Sequence, residues 1–144
     1  MGKFVMKVTS AGPRFNLLAA NGQVIAVSQN YSSEDSCLNG IESVRSSCLG
    51  PVEDQTVENF EVLAAPKFEV YLDKAGEYRF RLKAGNGQIV AASEGYKSLD
   101  GCLNGIESVK RNAPDAEVEK EEPEIVKPGV QKAADRGPIK QETK

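Results

Sequence analysis

The octapeptide Cys-Leu-Asn-Gly-Ile-Glu-Ser-Val stands at Cys37–Val44 and again, letter for letter, at Cys102–Val109. An identity of that length inside a chain of 144 residues marks an internal duplication. The chain must therefore fold as something two like units can build. Units of roughly fifty residues would be marginal if they folded separately, because small domains bury too little surface. The expectation is that the two copies share one core.

Within the first copy, Phe4, Met6 and Val8 alternate with Val5, Lys7 and Thr9, the period of a strand. Ala11-Gly12-Pro13 interrupts it, and Phe15, Leu17 and Ala19 resume the alternation. Asn21-Gly22 then reads as a two-residue type I′ hairpin turn leading into a third strand, Gln23 to Val27. A two-residue loop places Leu18 opposite Ile25 and Leu17 opposite Ala26. Ser33 is the expected N-cap of a helix, with Glu34 and Asp35 in its first turn. Cys37, Ile41, Val44 and Cys48 form its apolar stripe, and Gly50-Pro51 stops it.

The second copy repeats this plan. Phe68, Val70 and Leu72 make its first strand, and Tyr78, Phe80, Leu82 and Ala84 its second. Asn86-Gly87 is the turn, Ile89, Ala91 and Ser93 the third strand, Ser98 the N-cap, and Cys102, Ile106, Val109 and Ala113 the stripe. The organisation read from the chain is a first β-β-β-α repeat over 1–50, a linker over 51–66 with a short strand at Val57 to Leu63, and a second repeat over 67–113. A charged tail over 114–144, with four prolines and no apolar period, is expected to be disordered. The fold class is α+β, with antiparallel sheet and both helices on one face.

Composition removes several classes of function. Residues 3–49 carry four Lys/Arg against three Asp/Glu and residues 67–113 eight against six, while 50–66 carry none against four. Such small surpluses are far below the basic stripe of a nucleic-acid binder. Three cysteines, no CxxC and no histidine argue against a disulfide framework or a zinc site and fit a reducing compartment. The chain shows no leader pattern and no apolar run near the roughly 18 residues of a spanning helix. The expectation is a cytoplasmic protein that touches no membrane and needs no cofactor or metal.

The Phe-led strands, the hairpin Arg79-Phe80-Arg81-Leu82-Lys83-Ala84-Gly85-Asn86-Gly87, Ser93-Glu94-Gly95-Tyr96 and Gly105-Ile106-Glu107-Ser108-Val109-Lys110 resemble the YegP-like family of small bacterial domains. The resemblance covers most of residues 3 to 113 and is better in the second copy. In the first, Leu18 stands where the hairpin carries a lysine, and Gln29-Asn30 replace Glu94-Gly95. It implies tandem three-strand-and-helix units and an uncharacterised function, with no catalytic residue to carry over.

Gly40 and Gly105 interrupt the helices at the same place, and close packing is the preferred reason over a pocket. Asn39 and Asn104 are read as structural, bridging the two helices across a pseudo-twofold axis, with ligand contact the alternative. Cys37 and Cys102 lie near helix N-termini, where a thiol is sometimes reactive, but on the apolar stripe they read as core filler. Tyr31 and Tyr96 either cap the core or present a hydroxyl. Arg79, Arg81 and Lys83 form a basic stripe on the outer strand face, a candidate contact for an anionic partner. Val5, Leu18, Ile25 and Val27 make the outer face of the first copy apolar, where the second has Glu69, Lys83, Val90 and Ala92. Such a face needs cover, from Val57–Leu63, from a second molecule, or from an unknown protein.

The function expected on these grounds is a small non-enzymatic binding or regulatory module acting by protein contact. The alternative is a weak binder of nucleic acid or an acidic partner through the basic stripe. The chain is expected to be a monomeric pseudo-dimer or a weak homodimer.

Overall fold

A computed structural model describes residues 2–121 and the backbone of 128–129 and 131–132. The chain runs β1 (Lys3–Thr9), β2 (Gly12–Leu18), β3 (Val24–Val27), α1 (Glu34–Ser47), β4 (Val52–Asp54), β5 (Lys67–Leu72), β6 (Tyr78–Lys83), β7 (Ile89–Ala92), α2 (Leu99–Asn112) and β8 (Glu117–Glu121). These strands make one sheet in the order β4-β5-β6-β7-β3-β2-β1-β8. The fold is α+β, built of two tandem units. Their sheets join where Val27 of β3 pairs with Ala92 of β7.

The helices begin where the caps predict. Ser33 accepts a hydrogen bond from the Ser36 N–H at 3.1 Å, and Ser98 from the Gly101 N–H at 3.0 Å. Both lie on the sheet face carrying Phe4, Phe15, Phe68 and Phe80, which are fully buried. α1 crosses β2 of its own unit and then β6 and β7 of the other; α2 crosses β6 and then β3. One continuous core results, with Ile41, Val44, Ile106 and Val109 packed among strand residues of both copies. A half-sheet with one helix would leave this face partly bare, which is why neither unit closes its core alone.

The sheet is mixed. The six strands of the repeats are antiparallel as expected, but β4 adds in parallel to β5, and β8 in parallel to β1. Each strand that leaves a helix thus covers the edge of the other unit's first strand. An uncovered β1 or β5 would present a row of unpaired backbone groups.

Three sequence expectations change. The short strand between the copies is Val52–Asp54, whereas Val57–Leu63 forms a loop. The tail, expected to be disordered from 114 onward, supplies β8 at Glu117–Glu121, because backbone pairing with β1 requires no apolar pattern. Most of the remaining tail lies outside the described residues. The Asn-Gly turns hold three loop residues: Gly22 alone has positive φ, at 85°, and Ala19 and Gln23 close the loop. The added residue makes a bulge, so Leu18 pairs with Val24, and Ile25 turns inward against the core. In the second unit Lys83 pairs with Ile89, and Val90 is the inward residue.

The paired glycines are explained by the paired tyrosines. A side chain at Gly40 would collide with the Tyr31 hydroxyl and meet Phe15 Cε2 at 3.2 Å. Tyr31 stacks on Phe15 with ring centroids 6.2 Å apart, and Tyr96 on Phe80 at 6.4 Å. The close approach therefore involves each unit's own tyrosine.

Candidate functional site

Cross-strand partners share a face, so the pairings trace one row across the whole outer side of the sheet, away from the helices. In order it reads Glu53, Glu69, Arg81, Ala92, Val27, Asn16, Val5, Glu119. Its two halves have opposite chemistry.

The second-repeat half is charged and covered. Lys67 Nζ lies 2.7 Å from Glu53 Oε1 and 3.2 Å from Glu69 Oε2, and all three side chains are buried. The loop between β4 and β5 closes over them: the Leu63 N–H donates to Glu53 at 2.6 Å and Gln55 Nε2 at 2.7 Å. Burial raises the Glu53 pKa, but hydrogen bonds from Lys67, Gln55 and the Leu63 N–H outweigh it and hold the carboxyl at about 2. The cations of the basic stripe are paired in place, Arg81 and Lys83 sharing the single carboxylate of Glu69. Arg79 pairs with Asp73 at 2.6 Å, Arg81 with Glu69 at 2.7 Å, and Lys83 with Glu69 at 3.3 Å.

The first-repeat half is apolar, and exposure rises from buried Val5 through half-buried Leu18 to exposed Val24. Val5, Leu18 and Val24 floor a groove of about 280 Å³, rimmed by Lys3, Lys7, Glu119 and Glu121. The rim charges pair with one another, Lys3 with Glu119 at 3.2 Å and Lys7 with Glu121 at 3.5 Å. Asn16 also lines the groove; its side chain is buried, and its Oδ1 has no hydrogen-bond partner among the described residues. A mostly apolar groove suits a segment that brings apolar side chains.

Of the four apolar residues read from the sequence, Val5 and Leu18 meet in this groove. Val27 lines a neighbouring depression with Ile89 and Ala92, and Ile25 faces the core. Val24 and Asn16 were missed. Val24 becomes outward only because the turn has three residues. Asn16 stands mid-strand among apolar neighbours, and that was the available signal.

The thiols offer no nucleophile at ordinary pH. Cys37 and Cys102 are fully buried, and burial with a nearby Glu34 or Asp54 pushes each pKa up to about 11. Among the described residues no group of three His, Cys, Asp or Glu could hold a metal. Among them too, no helix is long and apolar enough to cross a membrane. Asn39 is exposed on the wall of a second groove, between α1 and the β6–β7 hairpin, and neither Asn39 nor Asn104 bridges the helices by a side-chain hydrogen bond.

These features define a class: a tandem-repeat α+β domain whose two units complete one sheet and one core. The chain matches the family described as "Domain of unknown function (DUF1508)" over residues 9–53 and again over 73–119, and it belongs to that family. It is 41% identical over 115 residues to a UPF0339 protein of Pseudomonas aeruginosa, covering 79% of this chain and 92% of that protein. A UPF0339 protein of Methanosarcina acetivorans is 67% identical over 52 residues, 36% of this chain but 90% of that one, so it holds a single unit. The solution NMR structure of yegP from E. coli, a protein of unknown function, superimposes with a TM-score of 0.69 at 31% identity. That match covers 83% of this chain and 92% of yegP. The YegP-like resemblance read from the sequence is therefore correct.

Proposed function

We propose that this chain is a non-enzymatic binding module whose contact surface is the outer-face groove of the first repeat. The observation that carries this reading is the contrast along one row of the sheet. Where the second repeat buries Lys67, Glu53 and Glu69 under its own loop, the first leaves an apolar groove in which Val5 is buried, Leu18 half-buried and Val24 exposed. Exposed apolar surface gains from a partner. The basic stripe supports the anionic-partner alternative poorly, since all three cations already lie in ion pairs, Arg79 with Asp73 and Arg81 and Lys83 with the shared Glu69.

The test is affinity capture from lysate with wild type and a Leu18→Glu, Val24→Glu double variant, each first checked for an unchanged thermal melt. Loss of specific captured proteins from the variant is the expected result. Identical captured sets from two equally folded baits would remove the groove as the contact surface.

A further inference from the structure

The groove reading leaves the occupant open, and the same outer face carries a candidate for it. The β4–β5 loop exposes Val57, Phe60 and Val62, the last with 74% of its surface accessible. It also exposes Glu58 and Glu61, which form no ion pair among the described residues. The loop is anchored on the outer face, since Leu63 donates to Glu53 and Glu53 opens the row that Asn16 and Val5 continue.

Resting on that reading, we propose that the groove's partner is a second copy of this chain, packed sheet to sheet, with the Val57–Val62 loop of each molecule seated in the groove of the other. The geometry follows from the row. β4 and β5 lie at one end of the sheet and β1 and β8 at the other, equally far from the β7–β3 junction. A twofold axis parallel to the strands, above the Val27–Ala92 pair, carries each end onto the opposite end without shifting it along the strands. The operation reverses the row, setting the Glu53 anchor of one copy over Glu119 on the groove's rim in the other and Glu69 over Val5, so the loop above β4 and β5 lies along the β8–β1 side of the groove. Both contacts are then equivalent and the assembly closes at two copies.

Charge agrees with this arrangement. Arg14 pairs across the strands with Lys7, so it stands on the outer face beside the groove. It makes no ion pair among the described residues, and its Nε is buried without a partner. Glu58 and Glu61 bring the carboxylates that Arg14 lacks, while Val57, Phe60 and Val62 bring the apolar surface that Leu18 and Val24 lack.

Sedimentation equilibrium of the full chain across a concentration series tests the proposal, with Leu18→Glu as the groove variant and Phe60→Glu as the loop variant. Wild type is expected to reach the mass of a dimer, and each variant to need at least tenfold more protein to do so. An equimolar mixture of the two variants is expected to recover association, because the mixed dimer keeps one contact with both sides intact. Should Leu18→Glu lower the thermal melt, Leu18→Lys replaces it, since the second repeat carries Lys83 at that place.

Wild type that stays monomeric throughout, or a mixture that behaves as its separate components, would overturn the self-pairing. The groove reading would survive if a groove variant of unchanged melt still lost specific proteins from lysate, and would fall with the self-pairing if it lost none.

Discussion

Lys67 Nζ sits 2.7 Å from Glu53 Oε1 in a buried ion pair on the sheet face that carries no helix. Single-layer faces are normally wet, and this pair is dry only because the β4–β5 loop closes over it. Its energetics are open to measurement. Glu53 has a folded pKa of about 2 against an ordinary value of 4.5, so it stabilises the fold fully above that ordinary value. The contribution declines as pH falls from there to about 2. Urea denaturation followed from pH 7 downward should show stability dropping across that window. Glu53→Ala should cost about 3 kcal/mol at pH 7, since it removes one side of a buried pair, and should flatten the drop.

Replacing Gly40 or Gly105 by alanine forces the tyrosine above it to move. Each substitution should destabilise by about 1–3 kcal/mol, the usual cost of overpacking. In a Tyr31→Leu background the Gly40→Ala penalty should shrink. A double-mutant cycle on thermal melts reads the coupling, and additive penalties would contradict the contact.

With pKa values of about 11, Cys37 and Cys102 are protonated at pH 8. About one thiol in a thousand is then ionised, against about one in four for an ordinary cysteine. A colorimetric disulfide reagent should therefore label the folded chain slowly and all three cysteines rapidly in denaturant. Fast labelling of the native protein would place these thiols elsewhere.

Ending the chain after Ala116 removes β8 and uncovers the β1 edge, together with the Lys3–Glu119 and Lys7–Glu121 pairs. The melting temperature should fall on the order of 5 °C, and aggregation on heating should rise. A chain ending after Glu121 should melt like the full protein.

Much of the fold was legible because its signals are local. The Phe4–Val8 and Phe68–Leu72 alternations, the Ser33 and Ser98 caps and the Cys37–Val44 stripe each depend on residues a few positions apart. The candidate site was half legible. Val5 and Leu18 showed as apolar residues on the outer phase of their strands, but a one-residue difference in the hairpin loop exchanged Ile25 for Val24. Arg79, Arg81 and Lys83 were placed on the correct face, and their carboxylate partners Asp73 and Glu69 were present in the sequence. Nothing in the spacing announced that pairing.

By itself the sequence determined that two like units exist, which faces of their strands and helices are apolar, and that the copies need a common core. Periodicity records burial, and burial is written into side chains. The tertiary structure decided the rest: that Val52–Asp54 and Glu117–Glu121 each cover the other unit's edge, and that one half of the outer face is roofed while the other is bare. The edge strands rest on backbone hydrogen bonds between distant segments, which nearly any residue can make, and the roof rests on the Glu53 carboxylate meeting Leu63 and Gln55 in a fold no local period announces.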